Sequence, residues 1–225
     1  MRKFSLRLVR SSERLFWSGR TLVRRAYAAA WATAPESMGD DYDFAVLICD
    51  HDEVLGNLNI KRRTADTLLP SETYFRQRHW EGQCEVDAGK VAELCSLAVC
   101  ASLSNRERIL VFNGLILGTH LLGMQEDIRV YATVQRTALI NTLTRLLKYP
   151  FIASEIQDVS GAGIPDDKYW TTAPMPQLYY LVHGASTDTA SFKLLHSFLR
   201  DGLSIEPVCG APGPAASAPP PLALE

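Results

Sequence analysis

Glu93 is the one carboxylate inside the apolar segment 90–99. Removal of a carboxylate from water disfavours its ionised form, so burial in this segment raises the pKa of the side chain and makes it a proton acceptor near neutral pH. We therefore interpret Glu93 as a general base. The alternative is a structural carboxylate that is satisfied by a neighbouring side chain or a capped loop.

Two potential nucleophiles, Cys95 and Ser96, follow Glu93. Either would need a base such as His120 for covalent catalysis. This is the weaker hypothesis, because no pattern places a histidine near the strand and free cysteines usually pack as small hydrophobic residues. Ser96 is kept as a candidate catalytic residue. The remaining histidines are scattered, which predicts surface or loop positions and no metal site: His51, His79, His183 and His196.

Ser104 and Glu107 have the spacing of a capping box, which predicts a helix that begins at Asn105. The first turn of a helix offers free backbone N–H groups and the positive end of the helix dipole, and both favour a phosphate group. Arg106 and Arg108 add positive charge. The alternative is an ordinary solvated helix start.

The elements that must position these residues follow from the apolar periodicity. It predicts strands at 4–10, 43–50, 53–61, 90–99, 127–134, 151–159 and 178–182, the second and third of which form a hairpin. It predicts helices at 12–31, 105–123, 136–148 and 190–199. The strand-helix-strand order over 90–134 predicts a crossover between parallel strands. We therefore predict an α/β (α+β) fold, with a mixed, mainly antiparallel central sheet and helices on both faces.

Two further features constrain the packing of this fold. Residues 62–88 form a long polar connection, and connections of that length are usually functional or partly helical. Gly114 and Gly118 lie one turn apart in the second predicted helix, which favours close packing of that helix against the sheet.

The composition is that of one ordinary globular domain. The chain has 225 residues, of which 47% are hydrophobic and 21% are charged. Half of its 12 prolines follow residue 205, together with alanine, glycine and serine. We predict a single domain over residues 1–205 and a disordered tail over residues 206–225.

Charge and cysteine content argue against several classes of protein. With 23 basic and 25 acidic residues, the formal charge of −2 gives no support to a nucleic-acid partner. The apolar segment 109–124 is too short for a membrane span. The five cysteines fit neither a disulfide framework nor a zinc site, so we predict a cytoplasmic protein. Residues 1–25 are basic, which we interpret as exposed faces of ordinary elements rather than a targeting peptide or docking arm.

Three stretches of the chain form a recognisable pattern: Asp40-Asp-Tyr-Asp43; Gly56-Asn-Leu-Asn59 with Leu68-Leu-Pro70 and Phe75; and Ala92-Glu-Leu-Cys-Ser-Leu-Ala-Val99. This pattern resembles the GCN5-related N-acetyltransferase (GNAT) superfamily, and within it the acyl-homoserine lactone synthase and N-acyl amino acid synthase branch. The chain resembles the thermostable-hemolysin family nearly as well, in residues 93–98 and 131–134. The resemblance covers roughly residues 4–182.

The resemblance implies transfer of an acyl chain from acyl-CoA, or from the phosphopantetheine arm of an acyl carrier protein, to the amine of a small molecule such as an amino acid. No permanently bound cofactor is implied. Glu93 is the implied base. The implied donor site comprises strand N–H groups that bind the oxyanion, if the strand splays from its neighbour, and the helix start: Leu97, Ala98, Val99, Ser104, Asn105, Arg106 and Arg108. The amine site comprises Trp31, Asp40 and Asp43, for which simple loop solvation is the alternative.

The chain also departs from the family pattern. Asn59 and Ser96 stand where the branch has arginines, which removes two bidentate donors. Residues 102–108 contain no glycine, so the superfamily's glycine-rich phosphate loop is absent. These departures leave a second hypothesis open, a non-catalytic GNAT-like binding or regulatory module.

Overall fold

One mixed sheet with helices packed against both of its faces forms the body of the protein. A computed structural model describes residues 3–82, 84–157, 159, 164–201 and 204–205. The strands are β1 (Phe4–Arg10), β2 (Phe44–Asp50), β3 (Glu53–Arg62), β4 (Val91–Val99), β5 (Val130–Gln135), β6 (Phe151–Ala153), β7 (Gln177–Val182) and β8 (Ser204–Ile205). The helices are α1 (Arg14–Trp31), α2 (Ser71–Tyr74), α3 (Asn105–Gln125), α4 (Thr137–Arg145), α5 (Lys168–Thr171) and α6 (Ala185–Asp201).

The strand order is β6-β7-β5-β4-β3-β2-β1-β8. Only β4 with β5 and β1 with β8 are parallel pairs among these strands, and the other five pairs are antiparallel. The predicted hairpin is β2 and β3, and the predicted crossover joins β4 to β5 through α3. The predicted fold class is therefore confirmed.

The helices pack against the two faces of the sheet through their small and apolar residues. Helix α1 lies on β2, β3 and β4, whereas α3 lies on β1, β2 and β3 from the other face and contacts α6. A Cβ atom added to Gly114 would lie 2.6 Å from Ile48 Cδ1, and one added to Gly118 would lie 2.2 Å from Val46 Cγ1. The predicted close approach at these two glycines is confirmed.

Several predicted boundaries differ from the structure. Strand β6 ends at Ala153 rather than at residue 159, because the side-chain amide of Gln157 hydrogen-bonds both the N–H and the carbonyl of Leu178 and replaces further strand pairing. Helix α6 begins at Ala185 rather than at residue 190, since Thr187 Oγ1 accepts from the N–H of Gly184 at its start. This polar first turn lacks the apolar spacing on which the prediction rested.

Other differences are smaller. Helix α4 ends at Arg145 instead of residue 148, and β5 begins at Val130 instead of residue 127. The short strand β8, which pairs with β1, was not predicted. The long connection 62–88 contains helix α2 and is held by the buried side chains of Leu69, Phe75 and Trp80. The predicted tail, 206–225, lies outside the described residues.

Candidate active site

A cleft opens in the middle of the sheet where β4 and β5 separate. The two strands pair only over Val91–Glu93 and Val130–Ala132. At the next position, the hydroxyl of Thr133 donates to the carbonyl oxygen of Leu94 (3.1 Å) in place of a backbone ladder. Beyond this point the two strands form the walls of a cleft of about 170 Å³. The splay that the resemblance required is therefore present.

A bulge in β4 shapes one wall of the cleft. Ser96 and Leu97 lie opposite a single β3 residue, Leu58, where the register of the two strands shifts. The backbone of Ser96 is left-handed, with φ of 51°. The side chain of Asn57 holds this conformation because its Nδ2 donates to the carbonyl oxygen of Ser96 (3.2 Å).

The bulge also sets the direction of the backbone N–H groups that follow it. The N–H of Cys100 donates to the carbonyl oxygen of Leu55 on β3 (2.8 Å). Because pairing recurs at every second residue of an antiparallel strand, the N–H of Ala98 points to β3 as well. By the same alternation, the N–H groups of Leu97 and Val99 point away from β3. Leu97 and Val99 do not line the cleft themselves; they follow its lining residue Ser96 along β4, and Val99 lines a separate groove.

Glu93 lies at the closed end of the cleft, with 3% of its surface exposed. The backbone N–H of Ser71 (2.8 Å) and its hydroxyl (2.5 Å) both donate to the same carboxylate oxygen, Oε2. Burial raises the pKa of Glu93 to about 7, although the bonds from Ser71 favour its ionised form and oppose this rise. A carboxylate with this pKa is able to accept a proton at neutral pH.

A buried histidine supports Ser71 from behind. Nε2 of His79 lies 2.8 Å from the Ser71 hydroxyl, and Nδ1 lies 2.9 Å from the hydroxyl of Tyr180. Since Ser71 gives its only hydroxyl proton to Glu93, Nε2 of His79 must be the donor to Ser71 Oγ. Burial lowers the pKa of His79 to about 4, so the ring is neutral at pH 7. His79 lies in the loop after α2, which agrees with one of the two predicted positions, but it is buried rather than at the surface.

Aromatic side chains form most of the remaining walls of the cleft. They come from α1, the loop before β2, α2 and α5: Tyr27, Tyr42, Tyr74, Tyr169 and Trp170. Asp167 also lines the cleft, where it caps α5 through the N–H groups of Tyr169 and Trp170 and accepts from the hydroxyl of Thr33.

The cysteine and serine of β4 lack the surroundings of a nucleophile. Burial and the Glu93 carboxylate raise the pKa of the Cys95 thiol. The hydroxyl of Ser96 lies 3.2 Å from that of Tyr42, and burial raises the pKa of Tyr42 to about 12, so this partner does not accept a proton at neutral pH. Ser96 contributes its bulged backbone to the cleft.

The predicted amine-binding residues lie outside the cleft. Asp40 is paired with Arg20 and Arg24 of α1. Asp43 accepts from the backbone N–H of Arg62 (2.7 Å) and lies 3.8 Å from Nζ of Lys61. Both carboxylates are therefore already neutralised by cations of the protein. Trp31 packs behind the wall, edge to face with Tyr169 at 5.3 Å.

Arg20 lies beside the cleft without lining it, and no sequence pattern singled it out. Its side chain is fully buried and donates to Asp40, to the carbonyl oxygen of Gly39 and to Oδ1 of Asn59 (3.0 Å). The guanidinium also lies 4.7 Å from the ring centre of Tyr42. Although Asn59 replaces an arginine of the resembling family, a guanidinium from α1 is present beside it.

The predicted phosphate-binding helix start follows the far end of β4. The capping box is formed, since Ser104 and Glu107 exchange hydrogen bonds. Asn105, Arg106 and Arg108 are exposed, and Arg108 donates to the carbonyl oxygen of Ala101 (2.7 Å). An apolar groove of about 590 Å³, lined by residues of α1 and α3 and by Val99, leads along this end.

No protein-family model matches the sequence, and no curated protein matches it. Solved structures do match. The acyl-homoserine lactone (AHL) synthase LasI is 14% identical, with a TM-score of 0.56 over 86% of this chain and 96% of its own. The CoA-dependent AHL synthase BjaI, in its structure with SAM and isopentyl-CoA, is 10% identical, with a TM-score of 0.59 over 86% of this chain and 90% of its own. The N-acyl amino acid synthase FeeM from uncultured soil microbes is 16% identical, with a TM-score of 0.51 over 81% and 92%.

The chain shares the fold of these synthases. This result confirms the fold that the resemblance implied. Within the described part of this AHL synthase-like fold, no three His, Cys, Asp or Glu side chains are grouped to hold a metal ion. None of its described helices combines the length and apolarity needed to cross a bilayer.

Proposed function

We propose that the protein is an N-acyltransferase that moves an acyl chain from a CoA or carrier-protein thioester to the amine of a small molecule, an amino acid or an amine derived from one. The observation that carries this proposal is Glu93, a buried carboxylate with a pKa of about 7 that lines an open cleft between diverging strands. Ser71 holds one carboxylate oxygen of Glu93 with two hydrogen bonds, and the thiol of Cys95 donates to the backbone carbonyl oxygen of Glu93 (3.7 Å).

The proposed reaction needs one base and one oxyanion site. The nitrogen of the neutral amine attacks the thioester carbonyl, and Glu93 takes the proton that the nitrogen loses as the C–N bond forms. The N–H groups of Leu97 and Val99 stabilise the negative charge on the tetrahedral oxygen. Collapse of this intermediate breaks the C–S bond, and the thiolate leaves and takes up a proton. No covalent enzyme intermediate is required.

The thioester donor would approach from the Val99 end of the cleft. There the exposed Arg106 and Arg108 and the first turn of α3 supply positive charge for the phosphate of CoA or phosphopantetheine. The same exposed arginines suit an acidic acyl carrier protein. The proposed compartment is the cytoplasm.

A second candidate function is the non-catalytic binding module. A filled cleft at Glu93 would favour it, because such a module needs no access to a base. The open cleft and the diverging backbone of β4 favour the enzyme instead.

Thiol release from a panel of acyl-CoA and acyl carrier protein thioesters, with and without amines, tests the proposal. Amine-dependent release is expected from the intact protein, and Glu93→Gln is expected to lower kcat about 100-fold or more because the base is lost. Glu85→Gln, at an exposed carboxylate outside the cleft, is the matched control and should keep wild-type rates. Absence of turnover across the panel would favour the binding module.

A further inference from the structure

The cleft beside Glu93 has an unusual balance of charge. Two carboxylates, Glu93 and Asp167, line it together with the five aromatic rings, and none of its described lining residues is Lys, Arg or His. Among the residues outside the described ranges, Arg2 is the one Lys or Arg residue. The residues that precede the cleft residue Pro165 in sequence, 158 and 160–163, therefore contain no Lys or Arg. The described lining of the cleft therefore offers no positively charged side chain for an anion.

Two cations near the cleft, Arg20 and Lys61, are already bound to other groups. Lys168, between the cleft residues Asp167 and Tyr169 in sequence, is exposed and does not line the cleft. The three nitrogen atoms of the Arg20 guanidinium donate hydrogen bonds to Asp40, to Asn59 and to the carbonyl oxygen of Gly39. Lys61 is 4% exposed at its side chain and is paired with Asp41 (2.6 Å).

Arg136 is held behind the aromatic wall. Its guanidinium lies 4.9 Å from the ring centre of Trp31 and 5.3 Å from that of Tyr169. It donates to the backbone carbonyl oxygens of Pro174, Lys168 and Tyr169. Release of either Arg136 or Arg20 toward a substrate would break three hydrogen bonds, which costs free energy.

Because none of the described side chains that line the cleft is a cation free to pair with a substrate anion, the covalent structure of an α-amino acid determines whether it can bind there. Its amine and its carboxylate are attached to the same carbon atom, so the carboxylate cannot stay outside while the nitrogen contacts Glu93. It would lie within a few ångströms of Glu93, without a counter-ion, in a buried site where like charges repel strongly. The aromatic faces, in contrast, favour a ring or a cationic group on the acceptor.

We propose that the acceptor is a primary amine that carries no carboxylate on its α carbon. This inference rests on the proposed N-acyltransferase function and narrows its substrate class from amino acids to amines derived from them. The two carboxylates and the aromatic walls then select for a second cationic group or an aromatic ring on the same molecule.

Pairs of acceptors that differ only in the α-carboxylate test this inference: tyramine with tyrosine, agmatine with arginine, and histamine with histidine. Each is assayed by thiol release from the same acyl-CoA with the full chain. We expect kcat/KM to be at least tenfold higher for the amine of each pair. Equal values, or a preference for the amino acids, would overturn the inference and leave the N-acyltransferase function standing. Absence of release with every acceptor would overturn both.

A charge placed in the cleft gives a second readout. Met38 lines the cleft, and its side chain has nearly the length of lysine. Met38→Lys supplies the missing cation, so it should reduce the preference for the amine about tenfold by raising kcat/KM of the amino acids. Met38→Leu is the matched uncharged control and should keep the wild-type ratio. The same ratio in both variants would mean that the charge of the cleft does not set the choice of acceptor.

Discussion

Two opposing effects set the charge of Glu93. Burial disfavours its ionised form, and the neighbouring Glu72 does so as well, whereas the two hydrogen bonds from Ser71 stabilise the carboxylate. The resulting pKa of about 7 lies near the working pH, where a general base combines a large ionised fraction with useful basicity. In the proposed reaction Ser71 therefore acts as a positioning residue for Glu93, and His79 and Tyr180 orient Ser71 in turn.

Replacement of Ser71 by alanine should raise the pKa of Glu93, because a donor to the ionised form is lost. A hydrogen bond to a charged group contributes about 1.5–3 kcal/mol, so the acid limb of the pH profile of kcat/KM should move up by about one pH unit. Thr73→Ala, on the same short helix, removes an exposed hydroxyl that donates to Pro70 and should leave the midpoint in place. If the pH profile of Ser71→Ala kept the wild-type midpoint, the Ser71 hydroxyl would not influence the pKa of Glu93, and the prediction would be wrong.

Among the elements, α3 determines how closely the helical layer approaches the sheet. Its glycines remove the side chains that would otherwise meet β2, and its capping box fixes where the helix begins after β4. The position of the first turn of α3 relative to the end of β4 is thus fixed by this capping box. This arrangement explains why Gly114 and Gly118 lie one turn apart on the face of α3 that meets the sheet.

Gly118→Ala should destabilise the protein. Glycine to alanine in a helix is by itself favourable by about 1 kcal/mol, but the added Cβ would lie 2.2 Å from Cγ1 of the fully buried and stiff Val46. We expect the free energy of unfolding to fall by about 1–3 kcal/mol, measured by urea denaturation. Gly89→Ala is the control, because a Cβ there meets nothing within 4 Å. A Gly118→Ala protein as stable as wild type would contradict the close packing of α3.

For the whole molecule, buried titratable groups make stability depend on pH in opposite senses. The pKa of His79 is lowered from its usual 6.5 to about 4, so its contribution to stability is present above pH 6.5 and is lost as the pH falls toward 4. The pKa of Glu93 is raised from 4.5 to about 7, so its folded form gains protons between these values and stability rises as the pH falls. Burial also lowers the pKa of His183 to about 4 and that of His120, which gives the histidines the larger total effect.

The protein should therefore lose stability between pH 7 and pH 4.5. A pKa difference of this size corresponds to about 3 kcal/mol for a well-buried group. Glu93→Gln removes the opposing effect and should steepen the fall in Tm with acidification, whereas His79→Gln should make it shallower. Scanning calorimetry at several pH values measures these slopes, and parallel curves for the three proteins would refute the linkage.

Local chemistry in the sequence determined the strands, the long helices, the capping box at Ser104 and the identification of Glu93 as a carboxylate in an apolar strand. Alternation, helical spacing and caps depend on near neighbours in the chain, so the sequence displays them directly. Only the tertiary structure decided what surrounds Glu93. Ser71 comes from α2, His79 from the loop after it and Tyr180 from β7, and no periodicity relates their positions to one another. The pairing of Arg20 with Asp40, which removes that carboxylate from the amine site, likewise depends on how α1 packs against the sheet.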